Sequence, residues 1–378
     1  VFRALLALGC MSFGGPVAHL GYFREAFVVR RGWLDEAAYV DLVALAQFLP
    51  GPASSQVGFA IGLTRAGWLG GLAAFAGFTL PSAALLTAFA YLSAHVGGTA
   101  WDGLLHGLKL TAVAIVAQAV FGMARTLTPD APRATLAAAA LALVAIHPGS
   151  LSQIGAILVG AALGPWICRA EGARGSPRGA SPVSPAAGAL CFALFLAGLA
   201  LAFVATSDRL LGLAEAFYRS GGLVFGGGHV VLPLLKSAVV DAGFVPDSAF
   251  LAGYGAAQAA PGPLFAFAAY LGAVAAGLAG ACVALAAIFL PGLLAMAGAL
   301  PFWGALSARA PARGAMAGVN AAVVGLLASA FYDPVFVGAV RAPLDFAEAA
   351  AGFVALVAWR APPIAVVGAL AALGAALG

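Results

Sequence analysis

The chain has 378 residues, of which 63% are hydrophobic and 8% charged, with a formal net charge of +4. A soluble domain needs about 25% charged residues to cover its surface, so this composition excludes a soluble globular protein. The apolar runs are long and recur along the whole chain, the pattern of an all-α polytopic membrane protein.

Enzyme and cofactor signatures are missing from the sequence. Cys10, Cys168, Cys191 and Cys282 form no CxxC and have no zinc spacing. The five histidines make no HExxH, and there is no phosphate loop or dinucleotide fingerprint. No soluble segment is long enough for a nucleotide-driven motor. Neither a cofactor nor a nucleic acid is expected as a partner.

In chain order, the first apolar stretch (2–28) is interrupted by Phe13-Gly14-Gly15-Pro16, with His19 close behind. Glycines permit a tight turn, and proline suits the first turn of a new helix. A loop holding Arg24, Arg30 and Arg31 follows. The next stretch, 36–64, carries Gln47 and then Pro50-Gly51-Pro52, followed by Ser54, Ser55 and Gln56. Two prolines cannot sit cheaply inside a helix, so one helix is expected to end near Phe48 and another to begin near Pro52. Both stretches are read as broken, re-entrant hairpins, with ordinary kinked spans as the alternative. Spans are then expected at 68–94, 107–125 (with Lys109 near its start), 134–147 and 151–168.

Residues 169–185 are rich in Gly, Ser, Pro and Arg and read as a flexible cytoplasmic linker. The segment 186–206 reads as a connecting transmembrane helix. A second half (207–378) then repeats the first (1–168). Its hairpins are expected at 210–234 and 248–276, and its spans at 281–300, 314–332, 345–359 and 362–377. FGGP at 13–16 aligns with FGGG at 225–228, and His19 is answered by His229 behind Gly226-Gly227-Gly228. Gln47 falls on Gln258, and Pro50-Gly51-Pro52 on Pro261-Gly262-Pro263. FTLPS (78–82) matches IFLPG (288–292), and GLKLTAVAIV (107–116) matches GVNAAVVGLL (318–327). Two related halves suggest a transporter.

Arginine placement suggests that the halves are inverted. The 24–36 loop is arginine-rich while its counterpart at 236–247 is not, and the order reverses at 95–106 against Arg309 and Arg313. Backbone broken at membrane depth must be buried in protein or line a wet cavity. Restarted helices would aim free N–H groups and partial positive charge into such a cavity, which suits a tetrahedral oxyanion. Expected donors are Gln47, Gln258, Ser54, Ser55 and Gln56, with His19 and His229 also at the site and Lys109 as a counter-charge. Asp41 and Glu215 are the main acids within the spans. The bland alternatives are packing glycines, satisfied interior histidines and a lysine that snorkels to an interface.

These residues closely resemble the chromate transporter family in its long-chain form with two homologous halves. The resemblance is carried by SFGGPVAHLGYFREAFVVRRGWLDE (12–36), LAQFLPGP (45–52), GWLGGLAAFAGFTLPS (67–82), FGGGHVVLPLL (225–235) and QAAPGP (258–263). It covers nearly the whole chain except the linker. It implies chromate export across a bacterial inner membrane, sulfate as a look-alike, and halves that arose by fusion of oppositely oriented short subunits. Lys109 and its neighbouring glycine fit the family pattern. Ala53 departs from the asparagine often found after the first PGP, which leaves substrate preference open.

The expectation is a secondary transporter working by alternating access, with the membrane potential or protons as driving force. The alternative is a passive oxyanion channel of the same fold. Lipid is the surrounding partner, and the small-residue faces leave room for a homodimer.

Overall fold

The computed structural model describes residues 1–13, 15–168, 181–204, 206, 208–225, 231–307 and 309–377. Gly14, Gly226, Gly227, Gly228, His229 and most of the linker lie outside the described residues. Among those described there is no strand. The first half contains α1 (Phe2–Met11), α2 (Gly15–Phe23), α3 (Glu36–Phe48), α4 (Ala53–His95), α5 (Thr99–Leu127), α6 (Ala131–Ile146) and α7 (Ser150–Ile167). α8 (Pro185–Leu201) connects the halves. The second half contains α9 (Arg209–Gly222), α10 (Val231–Leu235), α11 (Asp247–Ala259), α12 (Phe267–Ala299), α13 (Trp303–Ser307), α14 (Ala310–Ala330), α15 (Val337–Ala339), α16 (Pro343–Val357) and α17 (Pro363–Leu377). Among the described residues four helical stretches are long and apolar enough to cross a membrane: Ala53–His95, Thr99–Leu127, Leu264–Ala305 and Ala310–Ala339.

Local chemistry sets many of the helix starts. Asp35, Asp130 and Asp208 accept the N–H of Ala38, Arg133 and Leu211 respectively, so each carboxylate satisfies an orphan donor at a helix start. Pro185 sits in the first turn of α8, where its missing N–H costs nothing.

The long helices α4 and α12 each fold back on themselves. α4 reverses at Ala66 (φ −152°, ψ 31°) and Gly67 (φ 60°, ψ −156°). α12 reverses at Ala276 (φ −150°, ψ 34°) and Gly277 (φ 61°, ψ −152°). The two turns agree within a few degrees, so the sequence repeat is also a conformational repeat. In both, the arms touch through glycine: Gly62 against Gly70, and Gly272 against Gly280, each pair in backbone contact.

The outer ends of the broken segments gather at one place in each half. Arg24 Nε donates to Glu36 Oε1 at 2.7 Å, tying the end of α2 to the start of α3. Trp33 stacks on Phe27 with ring centroids 4.8 Å apart. The guanidinium of Arg65, at the end of the first arm of α4, lies 5.6 Å from the Trp33 ring. So α3 runs from this end to the PGP break, and the first arm of α4 runs back to it. In the second half, Arg209 Nη2 donates to the Ala275 carbonyl at 2.9 Å, and its guanidinium lies 5.7 Å from the Phe244 ring.

The halves are intertwined rather than separate. α6 and α7 pack on α14 of the other half, and α16 and α17 pack on α5. Small residues make these approaches close. Gly160 and Gly164 meet Gly318 and Gly314, while Gly107 meets Leu370 and Gly103 meets Gly374. Such small-residue seams are how helices associate where lipid offers no hydrophobic driving force. α5 starts at Thr99, earlier than the 107 expected from apolarity. Asp102 and His106 lower the apolarity of its first turns, and His106 Nε2 meets Asp345 Oδ1 at 2.9 Å, holding them helical against α16.

Candidate functional site

The PGP break of each half is tied to the opposite half by a backbone hydrogen bond. Gly51 N–H donates to the Val224 carbonyl at 2.7 Å, and Gly262 N–H donates to the Ser12 carbonyl at 2.8 Å. Each PGP glycine therefore binds the broken segment that follows the first helix of the opposite half. Both glycines have positive φ, 121° at Gly51 and 89° at Gly262, a region open at little cost only to glycine. Both are also hemmed in. A Cβ on Gly51 would stand 2.8 Å from Gly292 Cα, and one on Gly262 would stand 3.0 Å from Ser82 Oγ. Pro50, Pro52, Pro261 and Pro263 are buried beside them. The sequence reading left the N–H groups at these breaks free for a ligand; the two glycine donors are instead spent on cross-half carbonyls.

His19 locks the first break. It is 1% exposed, with Nε2 3.1 Å from the Ser12 carbonyl and Nδ1 3.4 Å from Ser54 Oγ. A carbonyl only accepts, so Nε2 carries the proton and Nδ1 accepts from the Ser54 hydroxyl. The ring edge meets Phe78, with centroids 5.3 Å apart. Ser54 is therefore committed to His19, and His19 is a positioning residue. His19→Ala leaves the Ser54 hydroxyl without this acceptor and opens a void. It is expected to cost about 2–4 kcal/mol, read as a lowered thermal midpoint in detergent. His19→Gln keeps an amide donor and is expected to recover part of that loss.

A polar cavity of about 60 Å³ adjoins the second PGP break. Its lining includes Gly15 at the N-terminus of α2, Gln118 on α5, Gln258 on α11, Gly262, and Leu264 at the restart leading into α12. Tyr254 is hydrogen-bonded to Gln258. The Gln258 amide nitrogen Nε2 is buried and has no protein partner. The hydroxyls of Ser12, Ser55 and Thr79 are likewise buried without partners near the breaks. Such groups are costly unless something satisfies them. Gln56 is tied down by its nitrogen, which donates to Pro50 O at 2.8 Å and Gly292 O at 3.0 Å.

The structure thus brings together Gly15, Gln258 and Gly262 at the cavity, with His19, Ser54, Gly51, Pro50 and Pro52 in the surrounding framework. Pro16 follows Gly15 in the first turn of α2. Gln47 is exposed, unlike its counterpart Gln258. Lys109 is buried but does not line the cavity; its charged neighbours are Asp102 and Arg341. It sits six residues before Ile115 of the lining, roughly 9 Å along α5. Neither Asp41 nor Glu215 lines the cavity. Sequence reasoning missed Gln118. Its only signal was an amide in the apolar run LTAVAIVAQAV, and polar groups inside spans are functional candidates. Among the described residues no group of three or more His, Cys, Asp or Glu could hold a metal ion.

Comparison with known proteins bears on both halves. The sequence profile of the family described as "Chromate transporter" matches residues 1–165 and again 211–375. A "Chromate transport protein" of Pseudomonas aeruginosa is 30% identical over 95% of this chain and 87% of its own length. One of Cupriavidus metallidurans is 27% identical over 86% of this chain and 79% of its own. An "Uncharacterized transporter" of Methanocaldococcus jannaschii is 26% identical over 86% and 82%. No solved structure matches the chain.

Proposed function

We propose, since the chain belongs to the chromate transporter family, that it exports chromate across the bacterial inner membrane by alternating access. The observation that carries this is the pair of cross-half bonds, Gly51–Val224 and Gly262–Ser12, with a polar cavity beside the second of them. A tetrahedral dianion offers acceptors in several directions. The Gln258 amide, the Gln118 amide and the N-terminus of α2 at Gly15 supply donors from different elements of both halves. Gly14, Gly226, Gly227, Gly228 and His229 belong to the same breaks by sequence and are assigned to the substrate path on that ground. Sulfate shares chromate's charge and shape and is expected to compete.

In this reading the halves are inverted and the breaks are re-entrant. The arginines at 24–31, at 309 and 313, and in the linker 169–185 then face the cytoplasm. The common outer end shared by α2, α3 and the first arm of α4 agrees with a segment that enters and leaves on one side. Alternating access becomes a rocking of the halves about the two glycine bonds. A membrane potential negative inside favours outward movement of an anion by about 2.3 kcal/mol per charge per 100 mV. Proton coupling is therefore not required for export.

Inverted membrane vesicles test this reading. Saturable chromate uptake, inhibited by excess sulfate and collapsed by abolishing the potential, is the expected result. Uptake no greater than in vesicles lacking the protein would refute it. Sensitivity to a protonophore at a clamped potential would add proton coupling.

A further inference from the structure

A second cavity, of about 160 Å³, lies between the end of α6, the start of α7, the π-turn that continues α10 (Lys236–Val240) and the end of α14. No residue of the broken-helix site described above lines it. Gln153 on α7 lines this cavity and is 4% exposed. Its Nε2 donates to the Pro233 carbonyl at 3.2 Å and to Ser237 Oγ at 3.0 Å. Exchanging the amide oxygen and nitrogen would set oxygen against the Pro233 carbonyl, so the orientation is fixed. The buried Oε1 is left with no protein partner. What is missing there is something that an oxygen can donate electrons to.

The charges on the cavity wall say which kind of partner fits. Lys236 Nζ and Asp333 Oδ1 are 3.1 Å apart and neutralise each other. Asp241 also lines the cavity and makes no ion pair among the described residues. The wall therefore carries one uncompensated negative charge, with amide, carboxylate and hydroxyl oxygens and neither sulfur nor imidazole. Hard oxygen donors select hard cations. A divalent ion would want more than one uncommitted carboxylate; a single positive charge balances what is present.

We propose that this cavity is a binding site for a monovalent alkali cation, held by Gln153 Oε1 and the Asp241 carboxylate. It does not rest on the transport reading, because a chain that moves no chromate would still bind the ion.

The test is thermal unfolding of the purified full-length chain in detergent, without chromate. NaCl or KCl is titrated against N-methyl-D-glucamine chloride at constant ionic strength. A ligand that binds only the folded state raises the midpoint in a saturable way. The expected result is a saturable rise with sodium or potassium and none with the bulky organic cation. Asp241 is exposed, so Asp241→Asn is expected to fold and to weaken the apparent affinity about tenfold or more, because the site loses its balancing charge. Lys236→Gln frees the Asp333 carboxylate and is expected to tighten it. Equal midpoints in all three salts would mean that Gln153 Oε1 meets only water, and would overturn the proposal. So would a cation response that survives unchanged in Asp241→Asn.

Discussion

Gly51→Leu is expected to abolish chromate transport and to lower the stability of the folded protein. Two effects add. Gly51 has φ 121°, and a non-glycine residue held in such a region costs about 1–3 kcal/mol. Any Cβ there also meets Gly292 Cα at 2.8 Å, and overpacking of this kind costs about 1–3 kcal/mol. Relief requires the two halves to separate at the point where Gly51 N–H reaches Val224. Gly51→Ala carries the strain and the first close contact without the larger side chain, so its loss is expected to be intermediate. Gly97, with open space around its Cα, provides a control: Gly97→Ala is expected to match wild type. Vesicle uptake together with the thermal midpoint in detergent reads both effects. Normal transport by Gly51→Leu would show that the glycine junction is not part of the moving parts.

Gln258→Leu is expected to raise the half-saturation concentration for chromate and, because Tyr254 gives up its hydrogen bond to Gln258, to lower the thermal midpoint modestly. The wild-type Nε2 is buried without a protein partner, so its removal breaks no protein contact on that side. A hydrogen bond to a charged group is worth about 1.5–3 kcal/mol, which corresponds to roughly a ten- to hundredfold loss of affinity. Gln118→Leu, on α5 and lining the same cavity, is expected to act in the same direction. The double variant is expected to lose less than the sum, because two donors on one anion are coupled. Initial rates against chromate concentration give the answer directly. An unchanged half-saturation in both single variants would move the substrate away from this cavity.

Much of the architecture was legible because it depends on local rules. Prolines at 50 and 52 forbid a continuous helix, and α3 does end at Phe48 with α4 beginning at Ala53. The duplicated anchors gave the repeat, and the structure reproduces it down to the paired turns at Gly67 and Gly277. What was not legible depends on partners distant in sequence. Nothing in the α6 and α7 segments says that they pack on α14 rather than on their own α5. The glycines that decide it, Gly160 and Gly164 against Gly314 and Gly318, look like any others in a chain with 50 glycines.

The site shows the same division. Local spacing located the breaks, Gly15, Gln258 and Gly262. Spacing could not reveal that each PGP glycine donates its N–H across the halves, because the acceptors Ser12 and Val224 are backbone carbonyls that any residue carries. Nor could charge alone place Lys109. It reads as a counter-ion in a linear sequence, but it lies on α5 well before the segment that lines the cavity. Gln118, which does line the cavity, was overlooked for the opposite reason: an uncharged amide leaves little mark on an apolar run.

The central claim is that chromate moves by alternating exposure of a single site shared by both halves. Counterflow in proteoliposomes containing the purified chain tests it most directly. Labelled chromate outside is measured entering vesicles preloaded with unlabelled chromate or with buffer. The account predicts saturable entry that internal chromate accelerates, and loss of that acceleration in Gly51→Leu. Entry that rises linearly with concentration, and is indifferent to internal chromate, would contradict it and establish a channel.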